Sequence, residues 1–121
     1  MAIQFTTKIE DEIFFVTTLG FDGSLSDVKQ YAADLIKAGV KTGLTKALID
    51  ERQLIYKLGT VDLYELGEFI AVQAPSFAKI ALVPNENKLE DTLFFEDVVI
   101  NRGLKLKIFR KMEEAKEWLV Q

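Results

Sequence analysis

A chain of 121 residues, 49% apolar and with nine Phe, has the length and composition for one packed domain. Its net charge of −4 weighs against nucleic acid or an anionic membrane as the main partner, since both are bound through clustered Lys and Arg. It contains neither His nor Cys, which excludes a Ser-His-Asp triad, a thiolate nucleophile, a disulfide framework and imidazole or thiolate zinc ligands, so an enzyme here would have to work with carboxylates, Lys, Tyr or Ser/Thr.

Residues 2–9 alternate, with Ile3, Phe5, Thr7 and Ile9 on one face, which predicts a half-buried strand. Glu10-Asp11-Glu12 turns the chain into a second, more apolar strand over 13–16, and the two form a hairpin. The segment 17–24 bridges that strand to a helix. It has a faint phosphate-loop character, although a capped turn explains it as well. Ser24 is the expected N-cap. Leu25, Val28, Ala32, Leu35 and Ile36 keep helical spacing, and Gly39 is the expected stop.

Ala47-Leu48-Ile49 belongs to a third strand over 46–50, ending in Asp50-Glu51-Arg52. Thr60 is the expected N-cap of a second helix with Leu63, Leu66, Gly67, Ile70 and Ala74 on one face. Gly67 allows close approach to the sheet, and Pro75 ends the helix. Residues 77–83 form a largely apolar, central strand. A third helix spans 87–101 and is closed by Gly103, a fifth strand spans 104–109, and a last helix spans 112–120 with Met112, Ala115, Trp118 and Leu119 facing inward. The order β-β-α-β-α-β-α-β-α predicts an α/β fold with right-handed crossovers, a mostly parallel five-stranded sheet and four helices, in a single domain over 1–121.

In this order the chain resembles the SpoIIAA-like superfamily, the fold of anti-sigma-factor antagonists and STAS domains, and more narrowly the stand-alone bacterial STAS/SEC14-like domains. The pieces that carry the resemblance are Gly20-Phe-Asp-Gly-Ser-Leu-Ser-Asp27, Ala47-Leu-Ile-Asp50, Ala78-Lys-Ile-Ala-Leu-Val83 and Leu106-Lys-Ile-Phe-Arg-Lys-Met-Glu-Glu-Ala-Lys-Glu-Trp-Leu119. The resemblance covers residues 12–120 and implies a non-catalytic interaction or regulatory module. It also implies an Asp-Ser-Ser-Gly-like phospho-switch between the third strand and second helix. Here that region offers Asp50 and Thr60 but no Asp-Ser-Ser-Gly.

Several candidate sites follow. Asp50, Glu51 and Arg52 stand where strands of parallel sheets present ligands, or they form a solvated turn with a local Asp–Arg pair. Thr60 is a helix cap or a phosphosite at a favourable helix N-terminus. On the third helix Leu89, Leu93 and Ile100 form one apolar arc, and Phe94, Phe95, Val98 and Val99 form another. A flanking helix buries only one face, so the second arc is either covered by a neighbour or is an interface for a second copy, another protein or an apolar ligand. The basic group Arg102, Lys105, Lys107, Arg110 and Lys111 protects an edge strand or meets an anion. The expected function is therefore protein recognition, with self-association through the third helix. Carriage of a small apolar, lipid-like molecule is the alternative, and a carboxylate enzyme a third reading. No cofactor, metal site, nucleic acid or membrane span is expected, and the cytoplasm is the expected compartment.

Overall fold

The computed structural model describes residues 3–22, 24–74 and 77–121. Its five strands run in the order β1-β2-β3-β4-β5: β1 Gln4–Glu10, β2 Ile13–Asp22, β3 Lys46–Tyr56, β4 Lys79–Pro84 and β5 Leu106–Ile108. β1 pairs antiparallel with β2, and every other pairing is parallel. The β1–β2 hairpin closes through Asp11 and Glu12, both at positive φ (54° and 63°), the conformation of a two-residue turn that follows the strand twist. Four helices, α1 Leu25–Thr42, α2 Thr60–Gln73, α3 Leu89–Ile100 and α4 Met112–Val120, complete the expected order, with a 3₁₀ turn at Glu86–Lys88 leading into α3. Among the described residues no helix is long and apolar enough to cross a membrane.

The sheet separates two cores. On one face α4 alone packs Ala115 and Leu119 against Ile13, Phe15, Leu48, Ala81 and Val83. Lys79 anchors this helix from below: its Nζ donates to the carbonyl of Trp118 at 2.8 Å, at the C-terminal end where a cation is favoured. On the other face α1, α2 and α3 cover a larger core that includes Phe14, Val16, Tyr31, Leu35, Leu54, Leu63, Leu66, Phe77, Phe95 and Val99.

Several boundaries differ from the sequence reading. α1 does not stop at Gly39. It runs to Thr42 and is closed by Gly43 in the left-handed conformation (φ 73°), whose N–H donates to the carbonyl of Val40. Gly39 instead lets the helix lie against the sheet, since a Cβ there would stand 2.6 Å from the Phe77 ring. Gly67 also serves a close approach, but to α3 rather than to the sheet, because its Cβ would fall 2.6 Å from Val98 Cγ1. The cap of α2 is Gly59, and Thr60 is the first helical residue. Ser24 caps α1 as expected, accepting from the N–H of Asp27. β2 continues to Asp22, so most of the bridge expected at 17–24 is strand. Gly23 and Pro75, the expected loop and helix stop, lie outside the described residues. Of the β1 face, Ile3 is buried and Phe5 half-buried, while Thr7 and Ile9 are exposed.

Candidate functional site

The largest correction concerns β3. It does not end at Asp50 but runs eleven residues, pairing with β2 far beyond the last contact with β4. The β3–β4 ladder ends at Glu51↔Pro84, where Pro84 has no N–H to donate. Asp50 and Glu51 thus lie where β4 leaves the sheet and β2 and β3 continue together, flanked by β1 only as far as Leu19. At this point β3 carries a bulge. Thr17 faces Asp50 and Leu19 faces Gln53, so β3 spends two residues where β2 spends one, Thr18.

The bulge determines which side chain meets which core. Ala47, Ile49 and Glu51 point to the three-helix face. Beyond the bulge the alternation is reset, so Leu54 returns to that face while Gln53 and Ile55 are exposed. Asp50 and Arg52 take the opposite face and bind one another. Asp50 Oδ1 accepts from Arg52 N (3.1 Å) and Nε (2.9 Å), and Oδ2 accepts from a terminal guanidinium nitrogen (2.8 Å). Burial would push Asp50 upward, but the side-chain and backbone hydrogen bonds of Arg52 and its charge outweigh it and hold the carboxyl below its usual range. The three adjacent candidates therefore do not form one cluster.

Glu51 lines a cavity of about 90 Å³ between the sheet and α1, α2 and α3. Its walls are apolar: Phe14, Ala47, Leu54, Ile80, Leu82 and Phe95 are representative. Among the described residues only Tyr31, Glu51 and Thr92 bring side-chain oxygens to it. Thr92 donates to the carbonyl of Lys88 at 2.7 Å. Tyr31 donates to Glu51 Oε2 at 2.7 Å, and Thr18, wholly buried, completes the chain at 2.8 Å from the Tyr31 hydroxyl. No cation reaches Glu51 among the described residues. Burial is the main reason its carboxyl is pushed up to about 7. The hydrogen bond from Tyr31 opposes this and the charge of Asp50 adds to it.

Tyr31, Thr18 and Thr92 were not singled out from sequence. Tyr31 falls three residues after Val28 and four before Leu35, on the buried stripe of α1, so its position carried a signal even though its role did not.

The remaining candidates are dispersed. Thr60 is exposed at the start of α2. Phe95, Val98 and Val99 are buried, because α3 packs against α2 and β5 as well as the sheet, and this removes them from any free surface. Phe94 alone of that arc is exposed, at 37%, alongside Leu93 and Ile100. In the basic group, Arg102 bonds Tyr64 and Glu68, and Arg110 pairs with Glu86. Among the described residues no group of His, Cys, Asp and Glu side chains is arranged to hold a metal ion.

No family model matches this sequence, and no curated protein matches it. Solved structures similar in fold include the following two. An anti-sigma factor antagonist from Mycobacterium paratuberculosis is 13% identical, with 99% of this chain and 96% of that one covered at a TM-score of 0.65. An uncharacterised protein with a SpoIIAA-like fold from Shewanella loihica is 18% identical, with 98% and 93% covered at a TM-score of 0.58. The chain has the SpoIIAA-like fold: an α/β domain whose sheet is parallel except for one antiparallel pair.

Proposed function

We propose that this chain is a non-catalytic binding module whose ligand is a small, largely apolar molecule held between the sheet and the three helices. The observation that carries this reading is the cavity. Proteins pack their interiors to crystal-like density, so a void of about 90 Å³ with almost wholly apolar walls is an uncommon feature. It reaches to the carboxyl side of a parallel sheet, where α/β proteins bind their ligands. Apolar walls with a few polar groups at fixed positions are the composition of a small-molecule site. A catalytic role is the weaker reading, because the two carboxylates that would divide acid and base work, Asp50 and Glu51, lie on opposite faces of the sheet. The test is a titration with 1-propanol followed by NMR of the side-chain methyls. Saturable shifts confined to Ala47, Ile49, Leu54, Ile80 and Leu82 are expected, and scattered or non-saturating shifts would contradict the site.

A second reading, regulation through a protein partner, is favoured by one surface. On the β2–β3 ribbon Leu19, Phe21 and Ile55 are 44%, 46% and 45% exposed, on the side of the sheet opposite the three helices. The similar fold of an anti-sigma factor antagonist supports the same reading. Self-association through α3 would rest on Leu93, Phe94 and Ile100. Sedimentation of the wild type beside Phe94→Glu tests it, with a dimer lost in the variant as the supporting outcome.

A further inference from the structure

The cavity has one polar end, and its chemistry is specific. Glu51 Oε2 is engaged by Tyr31, and no other protein group bonds the carboxyl among the described residues. The elements packed around it bring no positive charge. α1 contributes Tyr31, β2 contributes Thr18 through Tyr31, α3 contributes Thr92, and α2 contributes Leu66 and Ile70. On its own strand Arg52 is turned to the opposite face and held by Asp50, whose negative charge adds to that of Glu51. A carboxylate in apolar surroundings is costly unless a cation or several donors accompany it. Here the donor is single and the cation is missing, next to a space that is open.

We propose that the molecule taken by this cavity is a short aliphatic primary amine, its ammonium group bound to Glu51 and its hydrocarbon body enclosed by the apolar walls. This rests on the reading of the cavity as a ligand site and specifies its chemical class. An ammonium supplies the missing charge and donates directly to the free carboxylate oxygen, a charge-assisted bond of the strong kind. A neutral alcohol donates one weaker bond and leaves the charge uncompensated. Size sets the body. On the scale by which an apolar cavity of ~150 Å³ admits benzene, this one admits about four non-hydrogen atoms. The net charge of −4 favours approach of a cation over an anion. Glu51 must be ionised to act as counter-ion, so binding strengthens as pH rises and levels off once its proton is lost.

The experiment compares n-propylamine with 1-propanol, of equal size, by methyl NMR on the intact protein. At pH 8 the amine is expected to bind tenfold or more tightly than the alcohol. Its affinity falls about tenfold per pH unit below the Glu51 midpoint, while that of the alcohol stays flat. Glu51→Gln abolishes the preference and leaves the alcohol affinity within about twofold, whereas Tyr31→Phe, which keeps the carboxylate, retains the preference. Equal affinities at pH 8, an amine affinity unchanged in Glu51→Gln, or propionic acid binding best at pH 5 would overturn the amine assignment. Alcohol binding without amine preference leaves the cavity as an apolar site and removes only this inference. Failure of both probes at saturating concentration removes the ligand site as well.

Discussion

Asp50 and Glu51 are neighbours in the chain and meet opposite environments. Asp50 lies on the face covered by α4, where a small core is filled by Leu48, Ala81, Val83, Ala115 and Leu119, and its charge is neutralised locally by Arg52. Glu51 lies on the face covered by three helices, beside a void and without a cation. One face is closed and electrostatically satisfied. The other holds both the packing defect and the uncompensated charge. Structural and functional demands are thus separated by the thickness of a single sheet, and one β-bulge fixes which side each carboxylate takes.

Five substitutions break or sharpen this contrast. The largest effect is expected on the closed face. Leu119→Ala removes a fully buried side chain from a well-filled core and should cost about 2–5 kcal/mol in denaturant unfolding. The next is Glu51→Gln, with the opposite sign. Because the folded state raises the Glu51 pKa from 4.5 to about 7, it holds a proton that the unfolded chain releases, and stability falls as pH rises between those values. Above pH 7 the carboxylate therefore destabilises the fold by up to about 3 kcal/mol. Glu51→Gln should be more stable than wild type by up to about that amount at pH 8, and nearly equal to it at pH 4.

A matched pair of insertions follows. Ala81→Val, on the α4 face, should cost about 1–3 kcal/mol through overpacking. Ala47→Val projects into the cavity and should cost under about 1 kcal/mol or stabilise slightly, while weakening propanol binding. Thermal unfolding of the two variants side by side reads the difference directly. The smallest effect belongs to Asp50→Asn. Its partner is largely exposed, so about 1 kcal/mol or less should be lost at pH 7. The Asp50 pKa is lowered, so its contribution is present at neutral pH and disappears as acid is added below its ordinary value of 3.8, the reverse of the Glu51 profile.

The sequence carried the strand and helix order because hydrophobic period and cap residues set it, and these are local properties. The length of β3 was not legible. Its polar run Asp50-Glu51-Arg52-Gln53 reads as a strand end, whereas in the fold a bulge resets the alternation and the strand continues. Gly39 and Gly67 were marked as special for sound reasons, but whether a missing Cβ ends a helix or admits a neighbour depends on the tertiary partner. The same holds for α3. Two apolar arcs were visible, but only packing against α2 and β5 decides that Phe95, Val98 and Val99 are core and Phe94 is surface. At the site, Glu51 was legible as a candidate from its position. Its separation from Asp50, its bond to Tyr31 and the void beside it arise from register and packing between distant segments.

The most direct test is to titrate the Glu51 side-chain carboxyl itself by carbon-13 NMR. A midpoint near 7 is expected, moving higher in Tyr31→Phe as the hydrogen bond from the Tyr31 hydroxyl is removed. A midpoint near 4.5 in the wild type would mean that water or a cation solvates the carboxylate, and would contradict a half-buried, cation-free carboxyl at the end of the cavity.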